Sequence, residues 1–199
     1  MDNLLIKQTE NAFGFIQNLY LEVSYLIKEI EGQLQLDEEK FQILRPSGYG
    51  VTTRSSTGLD PANVEQWLTK SLTVFFCTEP GTEVQGGQTI TGFVPELKIL
   101  FLNIRLAGKN IVEPQINYGY IENIVSKKPD FKKFEKLAFE FSYNEDKIFK
   151  NSTNIHYESN YCTFEGKTES VPMYAIGNSD DVNSKIVEPI LKLYRSIKL

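Results

Sequence analysis

The chain has 199 residues, 41% hydrophobic and 24% charged, with a formal net charge of -5, two cysteines and one histidine. These fractions sit near the average of folded proteins, and a chain this long buries roughly 70% of its unfolded surface, so neither disulfides nor a structural metal are needed for folding. The acidic balance argues against nucleic acid as a partner, and a single imidazole excludes any mechanism that needs two in one chain.

Ala12, Phe15, Leu19, Val23, Leu26, Ile30 and Leu34 recur at intervals of three and four, which predicts an amphipathic helix over 4–31 closed by Gly32. Its apolar stretch contains Gln17, Asn18, Glu22, Lys28 and Glu29, too costly at bilayer depth for a membrane span. The N-terminus lacks the pattern of a signal peptide, so a cytoplasmic location is expected. Short apolar runs from Phe41, bent at Pro46-Ser47-Gly48 and Gly50, predict a hairpin or bulged strand. Asp60-Pro61 reads as the start of a short helix carrying Val64, Trp67 and Leu68, because Asp caps orphan amides and Pro presets φ.

Leu72 to Phe76 is rich in β-forming residues and predicts a strand; a long Gly-rich loop from Pro80 to Gly92 follows. Leu97 to Leu106 places apolar residues on both faces, as expected of the central strand of a sheet. Ile116, Tyr118, Tyr120 and Ile124 alternate with Asn117, Gly119 and Asn123, which predicts a strand with a polar face toward solvent. Asp130 opens a helical turn with Phe131 and Phe134, and the alternation of Leu137, Phe139, Phe141 and Tyr143 reads as another strand. Ile155, Tyr157 and Tyr161 form a further strand, with Glu165-Gly166 as the turn of a hairpin to Val171–Ile176. Ser179 caps a last helix through Val182, Ile186, Ile190, Leu193 and Ile197, kinked at Pro189. The order predicts one α+β domain over 1–199: a mostly antiparallel sheet of about six strands covered by the N-terminal and C-terminal helices, a two-layer sandwich.

Chemical motifs are sparse. Cys77 and Cys162 match no metal-ligand spacing and read as buried thiols; His156, between Ile155 and Tyr157, points to the polar side of its strand. Thr53, Arg54, Ser55 and Ser56 offer hydroxyls and a guanidinium to an anion, without a phosphate-loop or dinucleotide fingerprint, and no cofactor is expected. Lys127, Lys128, Lys132, Lys133 and Lys136 interleave with Phe131 and Phe134, which reads as the solvated side of a short core helix.

Glu96-Leu97-Lys98 at the start of a strand, with Asp60 upstream, resembles the PD-(D/E)xK nuclease signature. The resemblance implies a divalent ion held by Asp60 and Glu96, with Lys98 beside the activated water. In that family the first acid belongs to a strand, whereas Asp60 precedes Pro61 as a helix cap, and a solvated strand end is the preferred reading of the triplet. The leading expectation is therefore a noncatalytic module that contacts a protein partner or forms a homo-oligomer. A metal-dependent phosphodiesterase and a small-ligand or nucleotide binder stand as alternatives.

Overall fold

The computed structural model describes residues 3–44, 69–78, 97–108, 111–128, 134–150 and 153–196. The apolar spacing at the N-terminus forms one long helix, α1 (Asn3–Gln35), followed by β1 (Gln42–Leu44), β2 (Ser71–Cys77), β3 (Ile99–Arg105) and β4 (Gln115–Ser126). Then come α2 (Phe134–Tyr143), α3 (Glu145–Ile148), β5 (Asn154–Glu158), β6 (Cys162–Pro172), a 3-10 turn (Met173–Ala175), α4 (Ser179–Val182), a π turn (Asn183–Val187) and α5 (Glu188–Arg195).

The six strands form one sheet in the order β1-β2-β3-β4-β6-β5, every neighbouring pair antiparallel. β3 lies at its centre, and both of its faces are buried for the reason its sequence suggests. Leu100, Leu102 and Ile104 pack beneath α1 and the C-terminal helices, while Ile99 and Phe101 point the other way. The terminal helices and the sheet thus make the expected α+β sandwich. The opposite face carries a partial layer of its own, in which Leu137, Phe141 and Ile148 of α2 and α3 meet Phe75, Phe101 and Phe164. Phe141 sets its ring edge-on to Phe75 at 5.3 Å between centroids.

Several local expectations give way to tertiary structure. Residues 137–143 form a helix rather than a strand: the apolar alternation contains two i,i+4 pairs, and a helix turns Leu137 and Phe141 into the core while leaving Phe139 and Tyr143 exposed. Gly32 does not end α1, which continues to Gln35. Glu165-Gly166 lies inside β6; the hairpin turns instead at Ser159, whose Oγ accepts from the amides of Tyr161 and Cys162 at 3.1 and 3.3 Å. A register shift between Glu122 and Val125, with Asn123 at φ 53, moves Ile124 to the α2 side, away from Ile116.

Asn178, not Ser179, caps the last helical segment, accepting from the Asp181 amide at 2.9 Å. The disturbance expected at Pro189 takes the form of the π turn before it, in keeping with the missing N–H of proline. The bend near Gly48, the helix from Asp60, the Pro80 to Gly92 loop and the turn at Asp130 lie outside the described residues. Among the described residues no helix is long and apolar enough to cross a membrane.

Candidate interaction surface

Of the residues proposed for chemistry, Thr53, Arg54, Ser55, Ser56, Asp60 and Glu96 lie outside the described residues. Lys98 is described, and it has a structural task. Its Nζ donates to the Tyr194 carbonyl at 2.5 Å, stands 3.8 Å from Glu122 Oε2 and lies 4.0 Å above the centroid of the Tyr120 ring. The lysine thereby ties the sheet to α5.

His156 is 70% exposed on its side chain, with Nδ1 3.8 Å from Glu165 Oε1, at a broad cleft of about 460 Å³ beside Asn123. Both cysteines are buried, and burial pushes each thiol up to about 11, so neither supplies a thiolate near neutral pH. Lys127 pairs with Glu158 at 2.6 Å and Lys128 lies over Tyr161, which commits two members of the lysine cluster to local contacts. Tyr118, Tyr120 and Tyr157 are buried, whereas Tyr143, Tyr161 and Tyr174 are exposed on separate elements, so these tyrosines form no common aromatic sheet face.

Of the polar face expected on β4, Asn123 meets solvent, but Asn117 and Gly119 are buried. Thr73, Asn103 and Asn117 are aligned across β2, β3 and β4, and α3 covers them with a carboxylate. Asn103 Nδ2 donates to Thr73 Oγ1 at 2.9 Å and to Glu145 Oε1 at 2.8 Å; Asn117 Nδ2 donates to Asn103 Oδ1 at 3.1 Å; the Ser71 hydroxyl donates to Glu145 at 2.8 Å. Arg105 bridges to Asp146 at 2.6 Å and stands 3.6 Å from Glu145. Sequence reasoning missed this cluster because its members come from four separate elements. Its hydrogen bonds run among its own groups, which makes it a docking device for α3.

A second buried carboxylate holds the other helix: the Tyr157 hydroxyl donates to Glu140 Oε1 at 2.6 Å, with both residues buried. Tyr157→Phe should cost about 1–3 kcal/mol in denaturant unfolding, because Glu140 keeps its burial and loses its donor. A change within about 0.5 kcal/mol would show that water reaches Glu140.

Among the described residues, α1 carries half of the large exposed apolar side chains. At 1.5 Å per residue its 33 residues span about 50 Å. One stripe runs along it through Leu5, Ala12, Ile16, Leu19, Val23, Ile30 and Leu34, at helical spacing throughout. From Val23 onward the stripe is buried against the C-terminal helices and the sheet, and the Tyr20 hydroxyl donates to the Thr69 carbonyl at 3.0 Å. Ahead of that anchor the same stripe meets solvent. Leu5 is 60% exposed, and Ile6, Phe13 and Phe15 beside it are 42%, 62% and 66% exposed. Phe15, expected on the buried stripe, flanks it instead. The only charged residues from 3 to 21 are Lys7 and Glu10, which project from the opposite side of the helix.

A groove of about 450 Å³ runs beside the anchored half of α1, between Tyr25 and the connection from β6 to α4. Among the described residues no three His, Cys, Asp or Glu side chains come together as a metal site. No protein-family model matches the chain, and no curated protein or solved structure matches it, so its function has to be read from its own residues.

Proposed function

We propose that this protein is a noncatalytic interaction module that self-associates by pairing the N-terminal arms of α1. The observation that carries the reading is the continuation of the core stripe of α1 over residues 5–16, with Leu5 and Ala12 exposed, Ile16 half-buried, and exposed Phe13 and Phe15 on its flanks. Leu5, Ile6, Phe13 and Phe15 together expose roughly 400 Å² of apolar surface, spread over the stripe and both of its flanks, and exposed apolar surface gathered on one element points to an interaction site.

An uncharged stripe of this kind complements itself, and a two-fold interface needs one surface to serve both partners. Two arms with their half-buried neighbours would remove on the order of 1,000 Å² from water, the lower end of specific interfaces. An antiparallel pairing suits the arm best, since it sets the two globular bodies at opposite ends of the helix pair rather than against each other. The contacts of Lys98 with Tyr194 of α5 and Glu122 of β4 give it a role without catalysis, which supports the noncatalytic reading.

Analytical ultracentrifugation over a concentration series tests this. The expected result is a mass approaching about twice 22.8 kDa for the wild type, and 22.8 kDa for Leu5→Asp/Phe13→Asp with an unchanged far-ultraviolet helix signal. A wild-type mass of 22.8 kDa throughout, or a dimer indifferent to the substitutions, would overturn it.

A further inference from the structure

We infer that the groove between α1 and the β6–α4 connection binds an extended, lysine- or arginine-bearing segment of a partner protein. This surface is separate from the exposed arm and stands whether or not the arms pair. Its volume of about 450 Å³ falls within the range of ligand clefts. Leu26 and Met173 supply apolar lining, while Tyr25 and Tyr174, on opposite walls, are 61% and 67% exposed. Neither tyrosine hydroxyl forms a hydrogen bond among the described residues, and neither does the Glu22 carboxylate.

Charge selects the occupant. Glu22 and Glu29 line the groove and, among the described residues, no lysine or arginine does. Glu29 is kept ionised, since the Ser179 hydroxyl and then the Gln33 amide donate to it and hold its carboxyl below the ordinary range. Anionic ligands, phosphate and nucleic acid among them, are repelled by such a rim, whereas a guanidinium or ammonium gains both the carboxylates and the tyrosine faces. Tyrosine is suited to the task because it presents a large, stiff contact area and loses little conformational freedom on binding.

Size selects the shape of the occupant. The α1 wall from Glu22 to Glu29 rises about 10 Å, the reach of roughly three residues of extended chain. A helix, about 10–12 Å across with its side chains, does not enter a groove of this volume. An extended stretch with one aliphatic or proline side chain on Leu26 and Met173 and one cation beside Glu22 satisfies both walls.

The test is selection of random displayed peptides on the wild-type protein, followed by calorimetry of the enriched peptide against wild type, Tyr174→Ala and Glu22→Lys. Both substituted side chains are exposed, so melting temperatures should match the wild type and confirm folding. Expected are peptides with a lysine or arginine next to a proline or aliphatic residue, whose affinity falls at least about tenfold with either substitution and declines with added salt. Enrichment no greater than on the bare support, selection of acidic or uncharged peptides, or binding indifferent to both substitutions would overturn the inference.

Discussion

Gly119→Ala and Gly166→Ala are each expected to destabilise the protein by about 3 kcal/mol or more, a large share of the stability of an ordinary domain. A Cβ on Gly119 would lie 1.9 Å from the Lys167 carbonyl oxygen, and one on Gly166 would lie 1.9 Å from that of Tyr120. Both obstacles are backbone, so no rotamer change relieves them. β6 cannot retreat either, because β5 pairs along its other edge from Asn154↔Lys167 to Glu158↔Thr163. The strands must part, and the β4–β6 pairing from Gln115↔Pro172 to Ser126↔Cys162 is the longest in the sheet. Urea unfolding reads the effect as a fall in midpoint. Gly32→Ala provides the opposite sign: the residue stands near the end of α1, inside the helix, and a methyl group there would meet nothing within 4 Å. Alanine at that position should add roughly 0.5–1 kcal/mol. A loss below about 0.5 kcal/mol at Gly119 would mean that the strands are not so close.

These two strand glycines also show where sequence reading stops. β-forming composition locates β2, apolar residues on both faces locate β3, and alternation locates β4 and β5, since each strand buries at least one face and its pattern reflects that directly. Gly166 instead reads as a hairpin turn, because glycine in a polar context signals a turn as readily as a close strand contact. Which applies depends on a neighbour 46 positions away in the chain, Tyr120, that local pattern does not specify. The same holds for residues 137–143, where the run Leu137, Phe139, Phe141 and Tyr143 satisfies both a period of two and two i,i+4 pairs. The decision falls to packing against Phe75, Phe101 and Phe164.

Functional surfaces are less legible than the fold. The amphipathic pattern of α1 is plain in the sequence, but a stripe looks the same whether a sheet or water lies opposite it. Among the described residues, the Tyr20–Thr69 bond and the exposure of Leu5 and Phe13 show where the covered part of the stripe gives way to the exposed part. The groove is harder still, since Tyr25 and Tyr174 are separated by most of the chain and share no motif. Asn117 reads as part of a solvent-facing side of its strand, and its alignment with Asn103 across β3 and β4 puts both in one buried network.

That network makes stability depend on pH, with a sign that follows from burial. Desolvation is the largest influence on Glu145 and raises its carboxyl above the ordinary value of 4.5; Asp146 pushes the same way, while Ser71, Asn103 and Arg105 pull it down. A raised folded value means that the folded state holds the proton more tightly than the unfolded chain. The stability contributed by this site is therefore complete below the unfolded value and is lost as pH rises through the raised folded one. Glu145→Gln, neutral at every pH and still able to accept from Ser71 and Asn103, should escape that loss. Its stability relative to wild type should climb in urea unfolding as pH rises from the ordinary carboxylate range through the raised folded value. Glu145→Ala should behave differently, losing about 2–3 kcal/mol across the range because Ser71 loses its acceptor, Asn103 keeps only Thr73 and Arg105 keeps only Asp146. Parallel curves for wild type and Glu145→Gln would show that Arg105 and the two donors fully offset the burial of this carboxylate, and that α3 is docked by a charge rather than by a shared proton.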